Sequence, residues 1–377
     1  MTPRRVLVIA GLAESLINFR GALLESLVAA GHDVHAAAPG LDENADLRAR
    51  LQEMGVRPHG IALQRAGLNP VADLRSLFAL RRLMRALRPH TVLGYTIKPV
   101  IWGGLAARLA RVPRFYALIT GLGYAFTGKA KGKRAVIQAL ANGLYRTSLK
   151  GASGVIFQNP DDAAEFRDRG LIPAHLTPVV VNGSGVDLAR FSVAPLPDGP
   201  CSFVMIARLL GDKGVREYAA AAQALRARGS EAVVHLVGGP DANADSITEA
   251  EAQAWHDDGR LIWHGRLDDV RPAIAAAHVV VLPSYYREGT PRTVLEGMAM
   301  GRAIITTDAP GCRETVIDGE TGILIPPRDA AALAMAMEEL ASDPERTARF
   351  GAASHAYAAR RYDVHMVNAA MRQAMGL

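Results

Sequence analysis

A loop and helix start near position 290 carry the residue types best suited to chemistry in this chain of 377 residues. Residues 279–284 form a β-branched run typical of a buried strand, and an apolar periodicity typical of a helix follows it. Gly289 and Thr290 fall in the tight loop between them. Pro291 is expected in the first helical turn, where its missing amide costs nothing. Such a helix start favours an anion through its amides and its dipole.

Two carboxylates, Glu288 and Glu296, flank this helix start. Eight positions correspond to about 12 Å along a helix axis. A retaining glycosidase needs carboxyl groups about 5 to 5.5 Å apart, so the spacing argues against that chemistry. It fits an extended ligand better, with hydroxyl groups at both ends and phosphates between them, as in a nucleotide sugar. An acidic helix start that only complements the dipole is the alternative.

Basic and glycine residues follow the other predicted strands of the second half. In open parallel sheets, ligands gather beyond the carboxyl ends of the strands. The residues in that position are Arg208, Lys213, Gly238, Gly239, Arg266 and Leu267. Fixed cations would stabilise the charge that develops on a leaving diphosphate. An ordinary turn is the alternative around Arg266.

In this order, the motifs resemble those of glycosyltransferase family 4, a large family of retaining enzymes with the GT-B fold. The likeness covers nearly the whole chain and rests on segments 207–214, 238–240, 288–296, 311–314 and 318–322. It implies that the Arg208 and Lys213 cations neutralise the diphosphate of a nucleotide-sugar donor. Those cations would replace a metal, and the chain contains no Asp-x-Asp triple. We therefore expect no metal and no cofactor.

The resemblance also implies roles for the remaining donor-side residues. Glu296 would accept hydrogen bonds from the ribose, and Glu288 would contact the donor sugar. The amides around Pro291, together with Gly289 and Thr290, would hold sugar and phosphate. The nucleotide would approach Gly238 and Gly239 closely, and its base would lie near Arg266 and Leu267. Transfer would be front-face, helped by the leaving phosphate, since residues 119–121 offer no candidate base.

Strand-like and helical segments alternate along the chain, which is typical of parallel sheets with helices on both faces. In the first half the predicted strands span residues 6–10, 34–38, 91–95, 115–119, 155–158 and 177–181. In the second half they span residues 201–207, 233–237, 261–264, 279–283, 303–307 and 322–325. The sequence therefore predicts an α/β protein with two tandem Rossmann-like, doubly wound domains, and the resemblance implies that they face a cleft.

Proline content marks residues 187–200 as the most linker-like stretch. We expect an N-terminal domain over residues 1–190 that binds the acceptor and faces a membrane. A nucleotide-sugar-binding domain would occupy residues 191–343. From the resemblance, the helical stretch 344–377 is expected to pack back on the first domain.

Four residues that follow strands of the first domain are the candidate acceptor contacts: Gly11, Lys98, Gly121 and Gly123. A glycine loop lets an acceptor diphosphate or sugar approach the backbone, although a tight turn is the alternative. Lys98 is by default an exposed loop cation. Segments 65–70, 95–99 and 120–124 are similar to those of bacterial family members that add an N-acetylhexosamine to a polyprenyl-diphosphate-linked sugar.

Positive charge is concentrated between residues 65 and 150, where 16 basic residues accompany one acid, Asp73. Such a block could bind an anionic membrane surface, a diphosphate or nucleic acid, or be a merely solvated face. Apolar residues at helical spacing, among them Leu80, Met84, Val136 and Leu140, favour the membrane surface but could equally belong to the core. Aromatic residues are not interleaved with the cations, so we expect no nucleic-acid partner.

The resemblance, with which the basic first domain agrees, implies a transferase of the cytoplasmic membrane face. It would move a sugar, N-acetylgalactosamine or a close relative, from a UDP-sugar to an undecaprenyl-diphosphate-linked saccharide. No apolar run reaches the roughly 18 residues needed to cross a bilayer. Only Cys201 and Cys312 are present, which argues against a disulfide framework and fits the cytosol. A sugar-nucleotide hydrolase or epimerase on the same fold is the alternative enzyme.

Overall fold

The computed structural model describes residues 2–64, 69–122, 132–241 and 245–377. The chain divides into two compact units. Unit 1 comprises residues 1–184 and 365–377, and unit 2 comprises residues 185–364. The sequence analysis placed the first boundary at residue 190, six residues later, and the second at residue 343, 21 residues earlier.

Unit 1 is built on a parallel sheet of seven strands in the order β3-β2-β1-β4-β5-β6-β7. Its strands are β1 (Arg5–Ile9), β2 (Asp33–Ala38), β3 (Arg57–Gly60), β4 (Thr91–Tyr95), β5 (Arg114–Ile119), β6 (Gly154–Phe157) and β7 (Val179–Val180). Its first helices are α1 (Glu14–Asn18), α2 (Gly21–Ala29), α3 (Ala45–Glu53), α4 (Pro70–Leu87), α5 (Ile97–Ala110), α6 (Lys133–Leu149) and α7 (Pro160–Asp168). Val6 and Val8 pack into one core and Leu7 and Ile9 into another, so helices cover both faces of the sheet.

Unit 2 has six parallel strands in the order β10-β9-β8-β11-β12-β13. These are β8 (Ser202–Ile206), β9 (Val233–Val237), β10 (Ile262–Trp263), β11 (Val279–Leu282), β12 (Ala303–Thr307) and β13 (Gly322–Ile325). Its helices are α8 (Val215–Ala227), α9 (Glu249–Asp257), α10 (Arg271–Ala275), α11 (Arg292–Ala299), α12 (Ala330–Ser342) and α13 (Pro344–Arg361). The prediction of two doubly wound, parallel-sheet domains is confirmed.

The predicted C-terminal helical stretch is two helices, α13 and α14 (Val364–Met375). Between them Tyr362 O accepts a hydrogen bond from Val186 N at 2.7 Å, and Val364 N donates to Val186 O at 3.0 Å. Helix α13 packs in unit 2, where a Cβ on Gly351 would lie 2.3 Å from Gly301 O. From α14, Met371 and Met375 join the core of unit 1.

Strand β3 was missed by the sequence analysis. Its residues Arg57–Gly60 contain no β-branched side chain and include a proline at position 58. Proline is tolerated because β3 is the edge strand of the sheet.

Strand order reverses once in each sheet, between β1 and β4 in unit 1 and between β8 and β11 in unit 2. At such a reversal the loops beyond the carboxyl ends diverge and leave a crevice that binds ligands. Each unit therefore has one predetermined place for a site.

Candidate functional site

A buried ion pair lies beyond the carboxyl ends of β8 and β11. Lys213 Nζ, from the loop after β8, contacts Glu288 Oε1, from the loop after β11. Their side chains are only 13% and 11% exposed. Ser284 Oγ donates a hydrogen bond to the same Glu288 oxygen at 2.9 Å, and Nζ lies 5.1 Å from the centre of the Tyr286 ring. Two residues separated by 75 positions thus meet where the strand order of unit 2 reverses.

Backbone contacts fix the two loops against each other. The amides of Tyr285 and Tyr286 both donate to Asp212 O, at 3.0 and 2.9 Å. Gly214 has φ 79°, and a Cβ there would lie 2.2 Å from Pro283 O. A side chain at that position would therefore separate the loops, which makes glycine a requirement of the site.

Helix α11 begins directly after the Glu288 loop. Pro291 is its N-cap, with φ −71° and ψ 116°, and the helix starts at Arg292. The expectation that Pro291 lies inside the first turn is therefore wrong by one position, since its ψ is extended. A Cβ on Gly311, in the loop after β12, would lie 2.5 Å from Glu288 O and 2.7 Å from Gly289 O. Gly311 thus supports the backbone that carries Glu288, Gly289 and Thr290.

Glu296 lies on α11 with 5% of its surface exposed. Its Oε1 is 2.7 Å from Nε of Arg292, one turn earlier in the helix. Burial raises the pKa of the Glu296 carboxyl, and the neighbouring Arg292 guanidinium opposes that rise. The sequence analysis did not single out Arg292, although its i, i+4 spacing from Glu296 is a readable signal.

Three loops of unit 2 converge on Gly238, which has φ 150°. A Cβ there would lie 1.8 Å from Ala207 O, so any other residue would displace the loop that leads to Arg208. Gly238 N donates to Gly265 O at 2.8 Å, and Leu209 N donates to Gly239 O at 3.0 Å. The structure therefore brings together the segments around Arg208, Gly238–Gly239 and Gly265, as expected for one binding surface.

Two basic side chains on this surface differ from Lys213. Arg208 is 41% exposed, and its guanidinium forms a 2.5 Å ion pair with Asp241. Arg266 Cβ would be 3.7 Å from a Cβ on Gly239, and Leu267 next to it is 36% exposed. These residues present polar and apolar groups at the surface, in contrast to the buried Lys213.

The candidate acceptor residues of unit 1 lie beyond β1, β4 and β5. A Cβ on Gly11 would be 3.0 Å from Thr96 Oγ1, and Thr96 itself has φ 67°, which is strained for a β-branched residue. Gly121 has φ 101°, and the predicted contact at Gly123 lies outside the described residues.

Lys98 is not an exposed loop cation. It lies in the first turn of α5, and its Nζ is 2.7 Å from Asp73 Oδ1 of α4. Both side chains are about nine-tenths buried. A cation at a helix start opposes the dipole, so the Asp73 carboxylate is its necessary partner. The sequence held a signal for this pair, since Asp73 is the one acid among residues 65–150.

Among the described residues, no group of three or more His, Cys, Asp and Glu side chains is arranged to hold a metal ion. Within the same residues, no helix has the length and apolar character needed to span a bilayer.

Two family models match the chain. Residues 200–343 match "Glycosyl transferases group 1", and residues 19–183 match "Glycosyl transferase 4-like domain". Together they account for most of both units.

Among curated proteins, the chain is 28% identical over 342 residues to the N,N'-diacetylbacillosaminyl-diphospho-undecaprenol alpha-1,3-N-acetylgalactosaminyltransferase of Campylobacter jejuni. That alignment covers 87% of each chain. Among solved structures, sucrose-phosphate synthase from Thermosynechococcus elongatus matches with a TM-score of 0.80, 21% identity and 98% coverage of both chains. Alr3699/HepE of Anabaena, in complex with UDP and glucose, matches with a TM-score of 0.76, 16% identity and 99% coverage of both. The expected GT-B fold is thereby confirmed.

Proposed function

The chain belongs to the group 1 glycosyl transferases, and from this premise we propose that it moves a sugar from UDP to an undecaprenyl-diphosphate-linked saccharide, with retention and without a metal. The name of the Campylobacter relative supports N-acetylgalactosamine, or a close relative of it, as the sugar and a lipid-diphosphate saccharide as the acceptor. Solved neighbours with UDP bound support the choice of nucleotide.

The observation that carries this proposal is the Lys213–Glu288 ion pair at the strand-order reversal of unit 2. Lys213 and Arg208 meet the donor diphosphate and stabilise the charge that develops as the glycosidic bond breaks. In the low-dielectric surroundings of Lys213 that stabilisation is larger than it would be in water. Before the donor binds, Glu288 holds the Lys213 side chain in place; afterwards its carboxylate contacts the sugar.

Glu296 is suited to the ribose. A buried carboxylate with one guanidinium partner retains acceptor capacity for hydroxyl groups. Arg292 holds the carboxylate in one orientation, so little ordering is needed when the donor binds. The amides of the α11 start and of Gly289 and Thr290 then bind the sugar and phosphate oxygens.

Membrane contact is supported by exposed apolar side chains in the N-terminal halves of two helices of unit 1. On α4, Val71, Leu74 and Phe78 share one stripe and are 58%, 50% and 58% exposed. On α6, Val136 and Leu140 are 70% and 52% exposed, whereas Leu80 and Met84 belong to the core.

Both helices begin after strands β3 and β5, hence at the carboxyl edge of the sheet, where the acceptor residues lie. Basic side chains of α4, among them Arg75 and Arg82, adjoin the apolar stripe and complement anionic lipid. We therefore place this edge of unit 1 on the inner face of the plasma membrane, where a lipid-linked saccharide is delivered directly to the acceptor residues.

The transfer is tested by measuring UDP release from a panel of UDP-sugars, with and without a short polyprenyl-diphosphate sugar. Release that needs one UDP-sugar together with the lipid acceptor is the expected result. Release without an acceptor would instead establish a hydrolase or epimerase. The anomeric configuration of the product, read by NMR, tests retention, and full activity in a chelator tests metal independence.

Membrane contact is tested by cosedimentation with vesicles of phosphatidylglycerol and phosphatidylcholine. Leu74→Ser combined with Phe78→Ser is expected to lower the bound fraction several-fold, since it removes apolar area that would be buried in lipid. Met335→Ser, at an equally exposed apolar position in unit 2, is the control and should bind like the unaltered chain. Equal binding by all three proteins would contradict this placement of the membrane.

A further inference from the structure

Unit 1 contains a second basic region, at the edge of its sheet opposite the acceptor residues. A pocket of about 640 Å³ lies there, among residues that precede β4 and β5. Its polar lining consists of Arg85, Arg88, Arg111 and His90, and the other described residues that line it are apolar. Its volume lies in the range of small-molecule sites. The proposed function uses none of these residues.

The backbone at two of these arginines is unusual. Arg88 and Arg111 directly follow α4 and α5 and have φ 49° and 58°, in the left-handed region that favours glycine. Other helices of the described chain that end with a positive φ have glycine there: Gly31, Gly55, Gly170, Gly229, Gly259, Gly301 and Gly376. The two exceptions, both arginine, line the same pocket.

Helix-dipole complementation does not account for this arrangement. A cation anywhere in the last turn of a helix interacts favourably with the terminal carbonyls, and α4 already has Arg85 in that turn. Left-handed arginine adds backbone strain without improving that interaction. Because both strained residues line the same pocket, we infer that their side chains contribute to binding a ligand in it.

Within the described part of the chain, the charge of the pocket is uncompensated, because Arg85, Arg88 and Arg111 have no carboxylate at ion-pair distance. The His90 ring, whose Nδ1 lies 3.0 Å from Thr91 Oγ1, has its pKa lowered by burial and by Arg4 and Arg114. His90 therefore lies in a positively charged environment, which favours an anionic ligand.

We propose that this pocket binds a phosphate-bearing anion. Guanidinium groups present planar donor pairs that match phosphate oxygens, and several of them around one cavity would neutralise a dianion. The phosphate of a soluble metabolite agrees with the membrane placement at the other edge of the sheet, whereas that of an anionic lipid headgroup would require a second membrane contact at this edge. The site is separate from the donor site of unit 2, so its occupancy does not depend on the proposed transfer reaction.

The test titrates the full chain with inorganic diphosphate and follows the pKa of His90 by NMR, with the His90 signal assigned by its loss in His90→Gln. Diphosphate in the pocket should raise that pKa by about one unit, because a nearby anion favours the charged imidazole. A variant of the pocket arginines, which leaves the donor-site residues unchanged, separates this effect from diphosphate bound at the donor site.

Arg88→Gly combined with Arg111→Gly removes two cations and keeps the helix ends, since glycine suits both backbone conformations. The diphosphate effect on His90 should disappear in this variant. Arg349→Ala combined with Arg360→Ala removes the same charge from exposed positions of α13 in unit 2, outside the pocket, and should leave the effect intact. No response of His90 in the unaltered chain, or an unchanged response in the glycine variant, would overturn the proposal.

Vesicles of phosphatidylglycerol and phosphatidylcholine distinguish the two sources of phosphate. Weaker cosedimentation of the glycine variant than of the alanine variant would assign the pocket to a lipid headgroup. Equal cosedimentation, together with the diphosphate effect on His90, would assign it to a soluble phosphorylated compound.

Discussion

Among the described residues, each unit has a buried lysine paired with a carboxylate near its strand-order reversal, but the two pairs lie on different kinds of element. In unit 1, Lys98 of α5 meets Asp73 of α4, so both partners belong to packed helices. In unit 2, Lys213 and Glu288 lie on loops, where Ser284 and Tyr286 add a hydrogen bond and a ring contact. The two pairs are similarly buried but have different roles. The first joins two helices, and the second presents charge to a crevice.

Breaking the Lys98–Asp73 pair should have the largest effect, and the effect should be on stability. Lys98→Met leaves the Asp73 carboxylate buried without a partner, which costs about 3 to 5 kcal/mol of unfolding free energy. Urea unfolding followed by circular dichroism measures this loss. The double variant Lys98→Met with Asp73→Leu should recover most of it, since no buried charge remains. A single variant as stable as the unaltered chain would mean that the pair is not structural.

Breaking the Lys213–Glu288 pair should instead lower turnover. Lys213→Ala removes a cation aimed at the leaving diphosphate, and the rate of UDP release should fall by about 10²- to 10³-fold. Arg216→Ala, which removes an exposed cation three residues away, is the matched control and should keep its activity. Near-normal turnover of the Lys213 variant at saturating donor would refute the donor-site assignment.

Glu296→Gln replaces the second donor-site carboxylate with a neutral amide and so tests whether its charge contributes to donor binding. Hydrogen bonds from the ribose to a charged acceptor contribute about 1.5 to 3 kcal/mol, so the KM for the UDP-sugar should rise by about tenfold or more. An unchanged KM would show that Glu296 does not contact the donor.

The same variant has a pH signature. Because burial raises the pKa of Glu296 in the folded state, the protonated form stabilises the fold at low pH, and this stabilisation is lost as pH rises from 4.5 through the folded-state pKa. Glu296→Gln should therefore gain unfolding free energy relative to the unaltered chain at neutral pH, and the gain should vanish below pH 4.5. If the unfolding free energies of the variant and the unaltered chain changed with pH in parallel, the raised pKa of Glu296 would be contradicted.

Helix ends offer the finest contrast. Helices α8, α9 and α11 of unit 2 are followed by glycine with positive φ, as are α2, α3 and α7 of unit 1, whereas α4 and α5 are followed by arginine. Arg88→Gly should raise the unfolding free energy by about 1 kcal/mol, and Gly229→Arg should lower it by a similar amount. Urea midpoints of the two variants measure both changes. A destabilised Arg88→Gly would show that arginine is kept there for packing.

Much of the fold was predictable because the hydrophobic pattern of a strand can be read from that strand alone, without knowledge of its partners. The predicted strand 91–95 coincides with β4, and the predicted strands 233–237 and 303–307 coincide with β9 and β12. Strand β3 was not predictable, because its residues have no strand preference and acquire their conformation only from pairing with β2.

The site was predictable in its residue types and less so in its contacts. Positions after strands, read together with glycine and basic residues, identified Arg208, Lys213 and Glu288. That Lys213 would contact Glu288 rather than stand alone, and that Arg208 would pair with Asp241, depends on residues far apart in the chain.

By itself, the sequence determined the α/β class, the two sheets, the carboxyl-edge positions of the candidate site and the concentration of charge in unit 1, since all of these follow from local pattern and composition. The tertiary structure alone decided which charges are paired and which remain uncompensated. It buried Lys98 against Asp73 and, among the described residues, left the three arginines of the pocket without a carboxylate at ion-pair distance. Ion pairing depends on distances between elements, and those are set only when the helices and strands pack.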